Sequence, residues 1–231
     1  MTWSNPGVRR AAQLDAGPKE PLARPAFSGR RGDPYAGIPG RRIFVAVPLA
    51  DDARQEIERL VARVRAGAAP GEREVRWVRL DGIHVTLRFL GPTLEPRIPD
   101  AIAAVRATAA AVAPFEVALD GAGAFPGLVR PRALWIGVGA GAGTLAELAA
   151  RLESELVARG WPADDRPFRA HLTLARSDGV AAGARTAEGL IAAAADLRVR
   201  WSVDRIVLFE SVTGGGPARY VPLEEARLVS S

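Results

Sequence analysis

The chain contains no cysteine. That excludes disulfides, a thiol nucleophile and any zinc site built on cysteine. Lysine is nearly absent, with Lys19 standing alone, and histidine is confined to His84 and His171. No apolar run approaches the roughly 18 residues that a membrane-spanning helix needs. The first residues, MTWSNPGVRR, lack the apolar segment of a signal peptide. A cytoplasmic protein with no membrane partner is therefore expected.

What is present is the composition of a soluble globular protein, 48% hydrophobic and 25% charged over 231 residues. That length supports one sizeable core, or two small lobes that share one. The net charge of +5 is carried almost wholly by arginine. Residues 1–40 account for +3 of it and residues 41–231 for only +2. A nearly neutral folded part does not demand a polyanion-binding face, although a local arginine cluster would suit phosphate. The bias toward arginine and alanine also fits a GC-rich genome.

Residues 1–40 are rich in Pro, Gly, Arg and Ala and show no sustained periodicity. They predict a disordered extension. Two alternatives stay open for it: weak RNA binding, and sequence translated from upstream of the true start. Residues 41–231 are expected to form a single bilobal domain. IFVAVPL (43–49) reads as a buried strand. Ile57, Leu60, Val61 and Val64 form the apolar stripe of a helix that Asp51 or Asp52 caps. After an APGERE loop come a short strand at VRWV (75–78), a turn at Asp81-Gly82 and a strand over 83–90. Ile98, Ile102, Val105 and Val112 mark a second helix, and 115–125 and 133–139 read as strands. Leu145, Leu148, Leu152 and Leu156 mark a third helix, which Gly160 ends. A strand at 168–176 and a weak alanine-rich helix near 184–195 follow. Residues 197–211 read as a long strand or a bent pair, Gly214-Gly215-Gly216 as a turn, and 218–223 as a final strand. The order strand–helix–strand–strand–helix–strand recurs in both halves. It predicts an α+β fold of two related lobes, mostly antiparallel sheet with helices outside and a cleft between the lobes.

The repeat is sharpest at the histidines. IHVTLRFLG (83–91) and RAHLTLARS (169–177) each carry His-x-Thr-Leu. Threonine occupies only 8 of 231 positions, so a threonine two residues after both histidines arises by chance roughly once in a thousand, whereas duplicated sites leave such repeats behind. Side chains alternate across a strand. His84 and Thr86 therefore share one face, with Arg88 next along it, and Val85 and Leu87 share the other. His171 and Thr173 likewise oppose Leu172 and Leu174. Facing strands would bring two imidazoles and two hydroxyls together across the cleft.

Phosphodiester displacement uses such a set. One neutral imidazole takes a proton from water and one imidazolium protonates the departing oxygen. Hydroxyls and an arginine fork hold the non-bridging oxygens. Neither metal nor other cofactor is required. Metal ligation by the two histidines fits poorly, because neither frame carries a carboxylate at a ligand-like offset and there is no third histidine.

The chain resembles the two-histidine phosphoesterases, specifically the bacterial and archaeal RNA 2′,3′-cyclic phosphodiesterases, also described as 2′-5′ RNA ligases. The segments that carry the likeness are RRIFVAVPL, RWVRLDGIHVTLRFLG, FPGLVRPRALWIGV, RPFRAHLTLAR and VLFESVTGGGPARYVPL. The resemblance implies a bilobal α+β fold with both motifs lining a central cleft. It implies His84 as general acid toward the ribose 3′ oxygen, His171 as general base for water, and Thr86, Thr173 and Arg176 as the phosphate clamp. The implied substrate is RNA ending in a 2′,3′-cyclic phosphate, opened to a 2′-phosphate without ATP or metal, with 2′-5′ ligation as a related reaction. A monomer is expected. The chain departs from the family pattern at Ala170, where proline is common. A non-catalytic RNA-binding module and a phosphodiesterase for a small cyclic nucleotide phosphate remain as alternatives. Phe44 is placed with the substrate-binding residues as a base-stacking ring, a core role being the alternative. Arg88 reads as a continuation of the catalytic face or a solvated charge at its rim. Arg130 and Arg132 read as an RNA guide or an ordinary exposed loop. Trp77, Trp135, Trp161 and Trp201 read as packing residues.

Overall fold

A computed structural model describes residues 37–67, 75–177, 181–213 and 218–229. Residues 1–36 of the expected extension, the APGERE loop and the triple-glycine turn lie outside the described residues.

The first half of the chain forms β1 (Arg41–Pro48), α1 (Asp51–Ala66), β2 (Arg76–Trp77), β3 (His84–Thr93), α2 (Ile98–Ala109) and β4 (Phe115–Phe125). The second forms β5 (Ala133–Val138), α3 (Ala142–Ala158), β6 (His171–Arg176), α4 (Ala181–Ala194), β7 (Arg200–Val203), β8 (Arg205–Val212) and β9 (Arg219–Arg227). The sheet runs β7-β4-β5-β6-β3-β1-β8-β9, with β2 added beside β6. Its neighbouring strands are antiparallel. The expected α+β class with mostly antiparallel sheet holds.

The two motif strands meet at the centre. β3 and β6 pair at Val85 and Leu172, both fully buried. On one side of that seam lie β3, β1, β8 and β9, and on the other β6, β5, β4 and β7. β1–α1–β3 thus matches β5–α3–β6. Each unit passes through a further helix to a strand in the opposite half: α2 leads to β4 beside β5, and α4 leads through β7 to β8 beside β1. The repeats are exchanged across the seam.

β1 is central and shows five consecutive buried residues, Ile43–Val47, as a strand covered on both faces must. Ile57, Leu60, Val61 and Val64 of α1 are all buried. The N-cap of α1 is Ala50 rather than Asp51 or Asp52, although Asp52 Oδ1 accepts the Ala53 N–H of the first turn at 2.8 Å. Both aspartates lie in the first turn, where negative charge suits the helix dipole. Val112 lies past the end of α2. Gly141, at φ +79°, opens α3; a Cβ there would collide with the Glu116 carbonyl oxygen. Residues 197–211 resolve as the bent pair, yet β7 joins β4 and β8 joins β1. β9 runs past the expected end at Leu223 to Arg227. No helix among the described residues is long and apolar enough to cross a membrane.

Candidate active site

Pairing β3 with β6 sets both His-x-Thr-Leu frames beside one another. Thr86, Thr173 and Arg176 line two adjoining cavities. The smaller, about 70 Å³, is completed by His84, Gly82 and Tyr220 among others. The larger, about 710 Å³, continues past His171 to Phe125 and the segment before β6. The two histidines thus flank a cup of two hydroxyls and one guanidinium.

Each imidazole is held in the same way. His84 Nδ1 lies 2.7 Å from the Gly82 carbonyl oxygen, and His171 Nδ1 lies 2.7 Å from that of Arg169. A carbonyl only accepts, so Nδ1 carries the hydrogen in both rings and donates it. Nε2 is left for proton transfer. Aromatic rings pack round both. Phe44 lies 4.8 Å from His84 and Tyr220 meets it edge-on at 4.9 Å. Phe125 meets His171 edge-on at 5.1 Å.

That packing sets the protonation. Burial pushes the His84 pKa from 6.5 down to about 4; the Gly82 carbonyl opposes the shift and His171 adds to it. Burial also lowers His171, against the Arg169 carbonyl and with help from the Arg176 charge. Both rings are therefore neutral at pH 7 in the free protein. Burial raises the Tyr220 pKa, with Arg176 pulling the other way, so its phenol keeps its proton.

Arg176 reaches the cup through a β-bulge. Simple alternation from His171 would send residue 176 into the core with Leu172 and Leu174. The pairing shifts between Leu134–Ala175 and Trp135–Thr173, which leaves Leu174 as an extra residue. Leu174 and Ala175 are both buried and Arg176 emerges on the histidine face. β3 has the same device. Val45 pairs with Arg88 and Ala46 with Thr86, so Leu87 is the extra residue. Arg88 turns inward and Phe89 comes to the cavity wall.

The expectation of Arg88 on the catalytic face or at a solvated rim is therefore corrected: it is 5% exposed. Its guanidinium bonds Glu153 at 2.5 Å, Asp164 at 3.2 Å and the Pro162 carbonyl at 2.6 Å. Phe44, expected to stack a base, is 3% exposed. Its ring packs against His84, Phe89, Phe209 and Tyr220 and offers no free face; it backs the first histidine. Arg130 and Arg132 are exposed on the loop between β4 and β5 and line neither cavity. Trp161 and Trp201 are buried and Trp77 packs on the core, as expected. Trp135 packs between Phe125 and His171, at 5.2 and 6.5 Å. Sequence reasoning gave no role to Tyr220 or Phe125, or to the two carbonyls. Nothing local marks them, since Tyr220 lies 136 positions from His84. Among the described residues no three of His, Cys, Asp and Glu cluster closely enough to hold a metal ion.

This strand order, with paired histidine motifs at the central seam, defines a class, and comparison gives its name. The 2′-5′ RNA ligase superfamily matches residues 48–215, and the chain belongs to that family. It is 37% identical over 134 residues to an RNA 2′,3′-cyclic phosphodiesterase of Geobacillus stearothermophilus, covering 58% of this chain and 41% of that one. It is 36% identical over 122 residues to the protein of the same name from Aeropyrum pernix, covering 52% and 66%. The chain thus spans less than two thirds of either relative's length. Among solved structures, Escherichia coli LigT complexed with 3′-AMP superposes with a TM-score of 0.64 at 26% identity, over 82% of this chain and 99% of that one.

Proposed function

We propose that this protein hydrolyses RNA 2′,3′-cyclic phosphate ends to 2′-phosphate ends by general acid–base catalysis. The observation that carries the proposal is the pair of Nδ1-anchored imidazoles on either side of one cup formed by Thr86, Thr173 and Arg176. His171 Nε2 takes a proton from water as the water oxygen bonds to phosphorus. The bond from phosphorus to the 3′ oxygen breaks, and His84 Nε2–H protonates that oxygen. The ribose keeps its phosphate on the 2′ oxygen. Thr86 and Thr173 donate to the non-bridging oxygens and the Arg176 fork holds the same atoms, where charge concentrates at the transition state.

His84 must carry a proton to act as the acid, although burial keeps it neutral in the free protein. A bound phosphate supplies a negative charge beside the ring and raises its pKa. With the 5′ hydroxyl of a second RNA in place of water, the same displacement bonds that oxygen to phosphorus, releases the 3′ oxygen and joins the ends through a 2′-5′ linkage; run backward, it cleaves that linkage. The relatives' names and the family match support the substrate class. No step passes through a metal.

The test is a short RNA ending in a 2′,3′-cyclic phosphate, incubated in EDTA, with the position of the product phosphate identified. Turnover to a 2′-phosphate is expected, with His84→Ala and His171→Ala each losing about 10²–10⁴-fold. Turnover that depends on added metal, or RNA binding with no turnover at all, would overturn the proposal; the second result would point to a binding module.

A further inference from the structure

Beyond the cup, the cavity of about 710 Å³ runs on along the segment that precedes β6. It is roughly ten times the volume of the small cavity beside His84. Sites for drug-sized ligands span roughly 300–1,000 Å³, so the groove has room beyond a terminal nucleoside.

Its wall carries an aromatic ring and a free cation side by side. Phe168 is half-buried, packed on the core from behind and facing the groove. Arg169 is exposed into the groove and makes no ion pair or side-chain hydrogen bond among the described residues. The groove also holds Glu153 and Asp164, which would repel an anion if bare. Arg88 pairs with both, at 2.5 and 3.2 Å, and Arg166 pairs with Asp164 at 3.1 Å. The acidic charge is answered locally, and Arg169 remains as unneutralised positive charge beyond the cup. Its Cα lies at most about 7 Å along the backbone from that of His171, the scale of one nucleotide step.

We infer that this groove binds the RNA strand immediately 5′ of the reacting end. Phe168 offers a stacking face to the penultimate base and Arg169 contacts the phosphate that joins it to the terminal nucleotide. The inference rests on the phosphodiesterase reading above and narrows it: the protein acts on an oligonucleotide in preference to a free cyclic mononucleotide. Stacking on an aromatic ring tolerates any base, so the groove selects for strand, not for sequence.

The experiment compares a cyclic mononucleotide with a single-stranded tetranucleotide that ends in a 2′,3′-cyclic phosphate. The tetranucleotide is expected to show at least about five-fold higher kcat/KM, the lower end of what one stacked base contributes. Phe168→Leu, which keeps apolar bulk against the core, and Arg169→Gln should each lower kcat/KM on the tetranucleotide. Phe168→Leu should leave the mononucleotide within about two-fold of wild type, which also reports that it folds; Arg169→Gln is read on the ratio of the two substrates, because the Arg169 carbonyl also holds His171. Arg169→Gln should reduce the slope of log affinity against log salt by about 0.7 for the single strand. Equal kcat/KM on the two substrates, or variants that affect both alike, would overturn the groove and leave the phosphodiesterase reading standing. If neither substrate turns over, that reading fails, and anisotropy of a labelled tetranucleotide ending in a 2′-phosphate still decides the groove: binding no tighter than that of the mononucleotide, or unchanged in Arg169→Gln, rules it out.

Discussion

Gly82 and Arg169 each turn a backbone carbonyl onto a histidine ring at 2.7 Å. Each carbonyl fixes the tautomer and the tilt of the ring, and a main-chain acceptor leaves no side-chain signature beyond the histidine itself. Around the rings, aromatic neighbours strip away water and hold both pKa values below the ordinary 6.5. This has a kinetic consequence. The pH profile of kcat/KM reports the free enzyme, so its maximum should lie below pH 6.5. The profile of kcat reports the complex, in which, on the proposed mechanism, a bound phosphate would raise the pKa of His84, so its optimum should lie at higher pH. Initial rates on the cyclic-ended RNA from acid to mildly alkaline pH check both. A kcat/KM maximum above neutrality would contradict the protonation described here.

Two short strands show how a single extra residue redistributes side chains. Leu87 and Leu174 occupy equivalent bulges after the two threonines. The bulges make Arg88 equivalent to Ala175, both turned inward, and Phe89 equivalent to Arg176, both turned to the cavity. The near-symmetry of the frames therefore ends in an asymmetric site, in which the arginine that lines both cavities lies on β6. Arg88, turned inward, ties β3 to α3 through Glu153 and to the groove wall through Asp164 and Pro162. Removing one partner of a buried ionic network strands the others, and here both carboxylates keep partial solvent access. Arg88→Met should therefore cost about 2–3 kcal/mol. Urea unfolding checks this as a lower midpoint at unchanged slope. A midpoint equal to wild type would show that Glu153 and Asp164 find other partners.

At the scale of the molecule, the exchange of β4 and β8 between the halves makes the two repeats one continuous sheet. The site lies on the seam of that sheet, so the protonation of its histidines feeds into global stability. His84 has a folded pKa of about 4 against an unfolded value near 6.5. Between those values the unfolded chain holds more protons. Stability is fully present above pH 6.5 and is lost as pH falls toward 4, by up to about 3 kcal/mol from this residue. His171 adds in the same direction. His84→Phe should flatten part of that acid loss while abolishing turnover. Chemical denaturation at neutral pH and near pH 4.5 measures it, and an undiminished acid loss in the variant would place the sensitivity elsewhere.

Local periodicity determined most of the elements: the α1 stripe of Ile57, Leu60, Val61 and Val64, the leucines of α3 and the alternation around both histidines follow from which residues flee water. The repeated His-x-Thr-Leu frame marked the chemistry, because threonine is scarce enough here for the coincidence to carry weight. Tertiary structure alone decided what depends on the neighbouring strand. Register against β1 and β5 created the bulges, and those bulges sent Arg88 into the interior and Arg176 to the cup between the histidines. Sheet order placed Phe44 behind His84 and carried Tyr220 to its edge. Strand pairing is set by hydrogen bonds between segments far apart in the chain, so neither composition nor spacing records it.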